Sequence, residues 1–303
     1  MSTPSFPTLL VTGASGHLGQ RVLHHLLETL KVPAERIVAT TRNPDRLASL
    51  AARGVTVRAA DFDDRASLAA AFRGVDRLLL ISTDVLDRPG HRLAQHKAAV
   101  EAAAQAGVGH VVYTSMPGPQ TSAVLFAPDH AGTEAALAAS GLPGWTVLRN
   151  HWYFENIFHA LPSILATGQW YAATGNGGLA HIARDDLALA AATALAGKTE
   201  GKTVLTLSGA RAYTTAELAD LIGQTAGRPI QVIQVPVEGL VQGMLGAGLP
   251  EPVARVFASF DENTAKGGFG EVTGDFKALT GRDPQPFEAW LEAHRIEIAS
   301  LAK

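Results

Sequence analysis

The glycines of Thr12-Gly13-Ala14-Ser15-Gly16-His17-Leu18-Gly19 stand at i, i+3 and i+6, directly after the apolar run Leu9-Leu10-Val11. That spacing suits a turn that cradles phosphate. The first glycine allows the tight turn, the second lets backbone approach a pyrophosphate, and the third lets a helix pack on a strand. The helix start adds unpaired N–H groups and partial positive charge. The backbone of Gly13, Ala14, Ser15, Gly16, His17, Leu18 and Gly19 is therefore the candidate cradle for a dinucleotide. A ligand-free glycine turn is the alternative, and the strand before and amphipathic helix after count against it.

Further polar groups stand where such a ligand would extend. A site selective for NAD places Asp or Glu at the end of the second strand, for the ribose 2′-OH. Here the chain reads Thr40-Thr41-Arg42-Asn43. With no carboxylate there, Arg42 can pair with a 2′-phosphate through its planar guanidinium, which points to NADP(H). Asp61 and Phe62 stand where the adenine edge and face would lie, with helix capping as the alternative for Asp61. Ile81, Ser82 and Thr83 line the same edge at the end of strand four, and Tyr113 and Thr114 do so in strand five.

Ser115, His130 and Tyr153 are the candidate catalytic groups. Ser115 closes strand five and can donate to a substrate oxygen, or it can bond its own backbone in a turn. His130, with an unperturbed pKa of about 6.5, is a candidate proton donor or a packing histidine. Tyr153 is a second candidate donor. Asn150 can bond cofactor or substrate oxygens. Met116-Pro117 offers one apolar wall. Trp152, Tyr153 and Phe154 offer an aromatic wall for a flat molecule, although three consecutive helical residues cannot share a face, so at least one is core. Trp170 can cover the pocket or fill the core, and Phe260 is a candidate far wall. Metal chemistry is not expected. His24 and His25 are adjacent, His91 and His96 are five apart, and no His-Glu-x-x-His occurs.

These groups need a scaffold, and the chain alternates strand-like and helix-like segments. Strands are expected at 8–12, 37–41, 55–58, 77–81, 110–114 and 145–148, with a helix between each pair. Repeated units of this kind predict an α/β protein, a Rossmann-type doubly wound parallel sheet. After Asn150 the rhythm loosens. Residues 152–165 read as helix, 168–178 as loop, 184–195 as helix, 204–207 as strand and 230–235 as strand. Thr214-Thr215-Ala216-Glu217 reads as a capping box. The Gly/Pro-rich stretch 243–252 reads as a mobile lid, and the tail from Phe287 as amphipathic helix. The expected organisation is a nucleotide-binding domain over 1–150 and a smaller α/β substrate lobe over 151–303, interleaved with it.

Composition sets limits. The chain has 303 residues, 47% of them apolar, enough for a sizeable core. Its 25 basic and 28 acidic residues give a net charge of −3, which argues against a nucleic-acid surface or polybasic membrane patch. No apolar run reaches the ~18–20 residues of a spanning helix. Met1 to Pro7 lacks the basic and apolar regions of a signal peptide. The absence of cysteine excludes disulfides, thiolate nucleophiles and Cys-ligated metals. A cytoplasmic protein is expected. Apolar helices at an edge serve either a homodimer or the core.

The glycine turn, Arg42-Asn43-Pro44, Leu79-Leu80-Ile81-Ser82 and Tyr113-Thr114-Ser115 together resemble the NmrA-like branch of atypical short-chain dehydrogenases/reductases. Asp129-His130, Thr133-Glu134 and the block Leu148-Arg149-Asn150-His151-Trp152-Tyr153-Phe154-Glu155-Asn156 extend the likeness, as do Ala183-Arg184-Asp185-Asp186 and Ser259-Phe260-Asp261. Within that branch the chain is similar to the NADPH-dependent quinone oxidoreductase and triphenylmethane reductase group. The resemblance implies flavin-free reduction by NADPH of a quinone-like or other conjugated aromatic acceptor. It also implies departures. Many short-chain dehydrogenases use Tyr-x-x-x-Lys, but Pro117 stands four residues after Tyr113. The quinone-reductase-like relatives carry Lys after Thr-Glu, where this chain has Ala135. A non-catalytic NADP(H) sensor of the NmrA type is the second expectation. A nucleotide-sugar epimerase is the third, disfavoured by the missing Tyr–Lys pair.

Overall fold

The computed structural model describes residues 7–197 and 201–301, so all but the last residue of the Met1–Pro7 segment lies outside it. Six strands alternate with helices: β1 (Leu9–Val11), β2 (Ile37–Thr41), β3 (Thr56–Ala59), β4 (Arg77–Leu80), β5 (His110–Ser115) and β6 (Gly144–Asn150). Between them run α1 (His17–His24), α2 (Ala48–Ala51), α3 (Arg65–Ala71), α4 (His91–Gln105) and α5 (Ala127–Ala139). The strands pair in parallel in the order β3-β2-β1-β4-β5-β6. The order reverses between β1 and β4, which is the switch point where ligands of this architecture bind. The fold is thus the Rossmann-like doubly wound sheet that the alternation predicts.

Burial explains the sheet. Leu10, Leu78 and Val111 point to one face and Leu9, Leu79 and Val112 to the other, and all six are buried. Both faces are therefore covered, as parallel strands require. One face packs on Leu68 and Phe72 beside α3, on Ala98, Ala99, Ala102 and Ala103 of α4, and on Leu137 of α5. The alanines of α4 let that helix lie close to the sheet. The edge strand β3 is half exposed, and Arg58 on it donates from Nη1 to the carbonyls of Ala71 (2.6 Å) and Arg73 (2.9 Å).

Beyond β6 come α6 (Leu161–Thr167), β7 (Gln169–Ala172), β8 (Gly178–Leu179), α7 (Arg184–Ala196), β9 (Lys202–Leu207), β10 (Tyr213–Thr214), α8 (Thr215–Ala226), β11 (Gln231–Gln234), α9 (Val237–Gly246), α10 (Glu251–Ala265), α11 (Asp275–Thr280), α12 (Phe287–Ala293) and α13 (Arg295–Leu301). β9 joins the large sheet beside β6. β7 pairs with β11 in parallel, and β8 with β10 antiparallel. The chain forms two compact units. The first comprises Met1–Met116, Asp129–Arg149 and Leu187–Leu205; the second comprises Pro117–Pro128, Asn150–Asp186 and Thr206–Lys303.

The second unit has its own core. Phe154, Leu161, Ile164 and Leu165 pack with Leu218, Ile222, Phe287, Trp290 and Ile298. The capping box at α8 forms as the sequence predicts, with Thr214 accepting from Glu217 N and the Glu217 carboxylate accepting from Thr214 N. Two stretches differ from expectation. The stretch 168–178 is not all loop, because Gln169–Ala172 finds β11 as a partner for its backbone groups. The stretch 243–252, expected as a lid, is in good part helical: Gly243 lies inside α9, whose Leu240 and Val241 bury against Ala254 and Ala258 of α10. Pro252 stands in the first turn of α10, where it lacks only an N–H that the helix does not use.

Candidate active site

At the switch point the hydroxyl of Thr12 donates to Leu79 O (3.0 Å) and accepts from Ile81 N (2.9 Å). It ties the end of β1 to the end of β4. Gly13 follows with φ +57°, a left-handed backbone that favours glycine. Its carbonyl accepts from Gly16 N at 3.0 Å and closes the turn. A Cβ on Gly19 would lie within 3 Å of backbone atoms of Gly13 and Ala14, so only glycine lets α1 start here. Gly16 caps α1 with extended backbone, no side-chain cap and no acidic residue in the first turn. The helix start is thus open to an anion. The Ser15 hydroxyl lies 2.9 Å from that of Thr41, which links the turn to the end of β2.

Arg42 follows Thr41 directly. It is exposed and makes no ion pair or hydrogen bond within the described residues. Asn43 caps the next turn by accepting from Asp45 N (3.1 Å) and holds this loop in shape. Asp61 is half-buried, and its Oδ1 accepts from Asp63 N, while Asp64 caps α3. Phe62 packs partly on the core. Ile81, Ser82 and Thr83 are half-buried, and Ser82 N donates to the Thr114 hydroxyl at 2.9 Å. The cradle, the open helix start and the unpaired Arg42 fit a dinucleotide 2′-phosphate.

Tyr113 and His130 do not face solvent. They belong to a buried polar network in the first unit whose hydrogens can be assigned. Arg92, which can only donate, lies with Nη2 3.0 Å from His130 Nε2. His130 therefore accepts there and donates from Nδ1 to the Tyr113 hydroxyl (2.8 Å). His96 Nε2 accepts from Thr83 N (3.0 Å), so Nδ1 donates to Thr133 (3.0 Å), which donates on to Asp129 O (2.6 Å). Burial pushes His96 down to about 3 and His130 well below the usual histidine range. Both are neutral. His130 is a buried tether for α5 and not a ready acid, which corrects the expectation. Tyr113, whose hydroxyl burial pushes well above the usual phenol range, directs its side chain into this network rather than toward an exposed cofactor edge.

Ser115 is also placed differently from expectation. Its hydroxyl donates to Glu134 Oε1 at 2.7 Å, and Arg149 donates to the same carboxylate from Nε (3.0 Å) and Nη2 (2.6 Å). The proton expected to reach a substrate is thus held by a carboxylate. Met116 is buried beside it in the chain.

In the second unit, Pro117 is buried. Phe154 is 2% exposed and packed between Phe287 and Trp290, so it is core and not wall. Trp170 is half-buried against the same core, because β7 presents it inward, and it is not a cover. Trp152 lies 3.9 Å from Phe260 between ring centroids, and Phe260 also meets Phe126 and Phe269. The Tyr153 ring lies under the Arg184 guanidinium at 5.4 Å. Asn150 (7% exposed) has neither side-chain polar atom paired among the described residues. His151 (1% exposed) likewise has both ring nitrogens unpaired, and burial lowers it to about 4.

Sequence reasoning missed Arg92, His96, Glu134, Arg149 and His151 as site groups. Arg92 and His96 stood four apart on a helix, a spacing that puts two polar groups on one otherwise alanine-rich face. Nothing in sequence spacing joins Ser115, Glu134 and Arg149.

The fold and the cradle define a dinucleotide-binding protein. The chain belongs to the NmrA-like family, whose match runs over residues 6–291. It is 37% identical to quinone oxidoreductase 2 of Escherichia coli (strain K12) over 273 residues, covering 90% of this chain and 93% of that one. Among solved structures it is similar to the Escherichia coli NADPH-dependent quinone oxidoreductase complexed with NADPH, at 35% identity and a TM-score of 0.88, covering 94% and 98%. It is also similar to the Citrobacter sp. triphenylmethane reductase complexed with NADP(H), at 32% identity and a TM-score of 0.86, covering 97% and 99%. Among the described residues no helix is long and apolar enough to cross a membrane.

Proposed function

We propose that this chain is an NADPH-dependent reductase that passes hydride to a quinone-like or other conjugated aromatic acceptor without a flavin. The observation that carries the reading is Arg42, exposed and without an ion pair, one residue after the Thr41 hydroxyl that meets the glycine cradle through Ser15. The relatives bound to NADPH and NADP(H) support it. The Gly13–Gly19 turn and the start of α1 hold the pyrophosphate, and Arg42 pairs with the 2′-phosphate. NADPH supplies the hydride. Trp152 and Phe260 offer their rings to a flat acceptor.

Acid catalysis has a small part. A quinone that takes hydride becomes a hydroquinone anion, which is already well stabilised, so alignment of the reacting atoms contributes most. The loss of a lysine at Ala135 is compatible with that chemistry. The absence of cysteine fits a cytoplasmic setting.

The test is to mix purified protein and NADPH with a panel of quinones and triarylmethane dyes, and to follow absorbance at the nicotinamide band. Turnover of one or more acceptors is expected. Tight NADPH binding without turnover across the panel leaves the NADP(H)-sensor reading instead. Arg42→Ala is expected to weaken NADPH at least tenfold and NADH hardly at all, since a charge-assisted bidentate contact contributes about 1.5–3 kcal/mol. Equal losses for the two cofactors would refute the 2′-phosphate assignment.

A further inference from the structure

Ser115 ends β5, and its hydroxyl hydrogen is committed. The acceptor is Glu134 Oε1 at 2.7 Å, on a carboxylate that the Arg149 guanidinium also holds, with Nε donating to the same Oε1 and Nη2 to Oε2. Both side chains of that ion pair are largely withdrawn from solvent, at 10% exposure for Glu134 and 23% for Arg149. A carboxylate paired in this way has no hydrogen to offer, so the serine must be the donor between them. A hydroxyl has one hydrogen and two lone pairs. What Ser115 retains for a ligand is acceptor capacity alone, and any group that meets it must bring an N–H or O–H.

The place of Ser115 limits which group that is. In a doubly wound sheet the two halves of a dinucleotide lie over the C-terminal strand ends on either side of the switch point. The half that starts at β1 holds the glycine turn and Arg42. The other half begins at β4, and β5 stands next in it. The nicotinamide end of the cofactor belongs there. The carboxamide on that ring brings an N–H donor.

We propose that Ser115 accepts a hydrogen bond from the nicotinamide carboxamide N–H, with its polarity fixed by the Glu134–Arg149 pair. This rests on the reading of NADP(H) as the cofactor. Ser115 is then a cofactor-binding residue, and Glu134 and Arg149 are positioning residues that act through it. The contact limits rotation of the ring about its ribose bond and so fixes which face of the ring is presented.

Calorimetry with two ligands tests this: NADP+ and its 3-acetylpyridine analogue, in which a methyl group replaces the carboxamide nitrogen. The wild type is expected to bind NADP+ about fivefold more tightly than the analogue, the value of one neutral hydrogen bond. Ser115→Ala is expected to reduce that ratio to about one. Glu134→Ala, which takes away the acceptor of the Ser115 hydrogen, should reduce it as well. Binding of 2′,5′-ADP should stay unchanged in Ser115→Ala, which shows the cradle intact. A preference that survives Ser115→Ala overturns the proposal, and so does a wild type with no preference. If Ser115→Ala weakens both ligands equally, the partner is a ribose hydroxyl and the carboxamide assignment is wrong. A wild type that binds neither NADP+ nor 2′,5′-ADP overturns the cofactor reading itself, which is a separate failure.

Discussion

Acid should destabilise this protein, and the cause is a set of five histidines lowered by burial. Burial disfavours the charged ring in each: it lowers His96 and His181 to about 3, His110 and His151 to about 4, and His130 well below its ordinary value. In the unfolded chain each ring titrates near 6.5. Below that pH the unfolded chain takes up protons that the native state refuses. Stability contributed by these rings is therefore complete above about pH 6.5 and is lost as pH falls. At pH 5 the difference is about 1.5 pH units, or about 2 kcal/mol, for a ring held at about 3 to 4, so the set together costs several kcal/mol.

Asp129, Asp186 and Asp261, each raised by burial, act in the opposite sense, as does His91. Asp261 is pushed up to about 6 by burial, although its carboxylate accepts from Ala173 N. The native state keeps a proton on Asp261 that the unfolded chain releases, so between about pH 6 and pH 4 acidification favours folding, by roughly 1 kcal/mol at pH 5. His91, raised by the carboxylates of Asp63 and Asp87, works in the same direction. The five histidines outweigh these groups, and the net loss on going from pH 7.5 to pH 5 is on the order of a few kcal/mol, a sizeable part of the ~5–15 kcal/mol that holds a typical domain together. Urea unfolding at constant ionic strength, followed by tryptophan fluorescence at pH 7.5, 6 and 5, measures it. Hydrogen exchange assigns the loss to His96, His110 and His130 in the first unit or to His151 and His181 in the second. A urea midpoint that holds or rises on acidification would refute the reasoning, because it would require these rings to be charged or solvated in the native state.

Three further outcomes are expected. Gly19→Ala drives a methyl into the backbone of Gly13 and Ala14, and should raise the NADPH dissociation constant by more than about a hundredfold in a fluorescence titration. Tyr113→Phe removes the acceptor for the His130 Nδ1 hydrogen inside the core. It should cost about 1–3 kcal/mol in urea unfolding, and no loss would mean that the assigned hydrogens are wrong. Phe154→Ala should cost about 3–5 kcal/mol while the Michaelis constant for the acceptor in the folded protein stays unchanged. A selective rise in that constant would return Phe154 to the substrate wall.

Sequence reveals local devices well and distant partnerships poorly. The glycine turn, the buried runs of β2 and β4, and the Thr214–Glu217 box are each set within a few residues, so their physics is visible in order along the chain. The segment around Gly243 misleads because glycine and proline content reports backbone preference, whereas Leu240 and Val241 decide the outcome by burying against α10. Phe154 and Trp170 were ambiguous for the same reason. An aromatic side chain fills a core or lines a pocket equally well, and which it does depends on Phe287 and Trp290, more than a hundred residues away.

The candidate site shows that limit most sharply in the direction of its hydrogen bonds. A serine, a histidine and a tyrosine in the right region invite a proton-donor role, because sequence lists groups that own a hydrogen but not what already holds it. Here the Ser115 hydrogen is taken by Glu134, and the His130 hydrogen by Tyr113. The direction of each bond is itself set by a contact from another element: Arg149 of β6 grips the acceptor Glu134, and Arg92 of α4 sets the tautomer of the donor His130. An acid poised for catalysis needs a hydrogen it can release and a pKa near the working pH. Neither group meets the first condition, and His130 fails the second. A reaction whose product is a stabilised anion does not ask for such an acid. The chemistry proposed for this chain and the hydrogen bonds within its first unit therefore make the same demand: a cofactor held at the right angle, with its polar groups met by oxygens and nitrogens whose polarity is settled before it arrives.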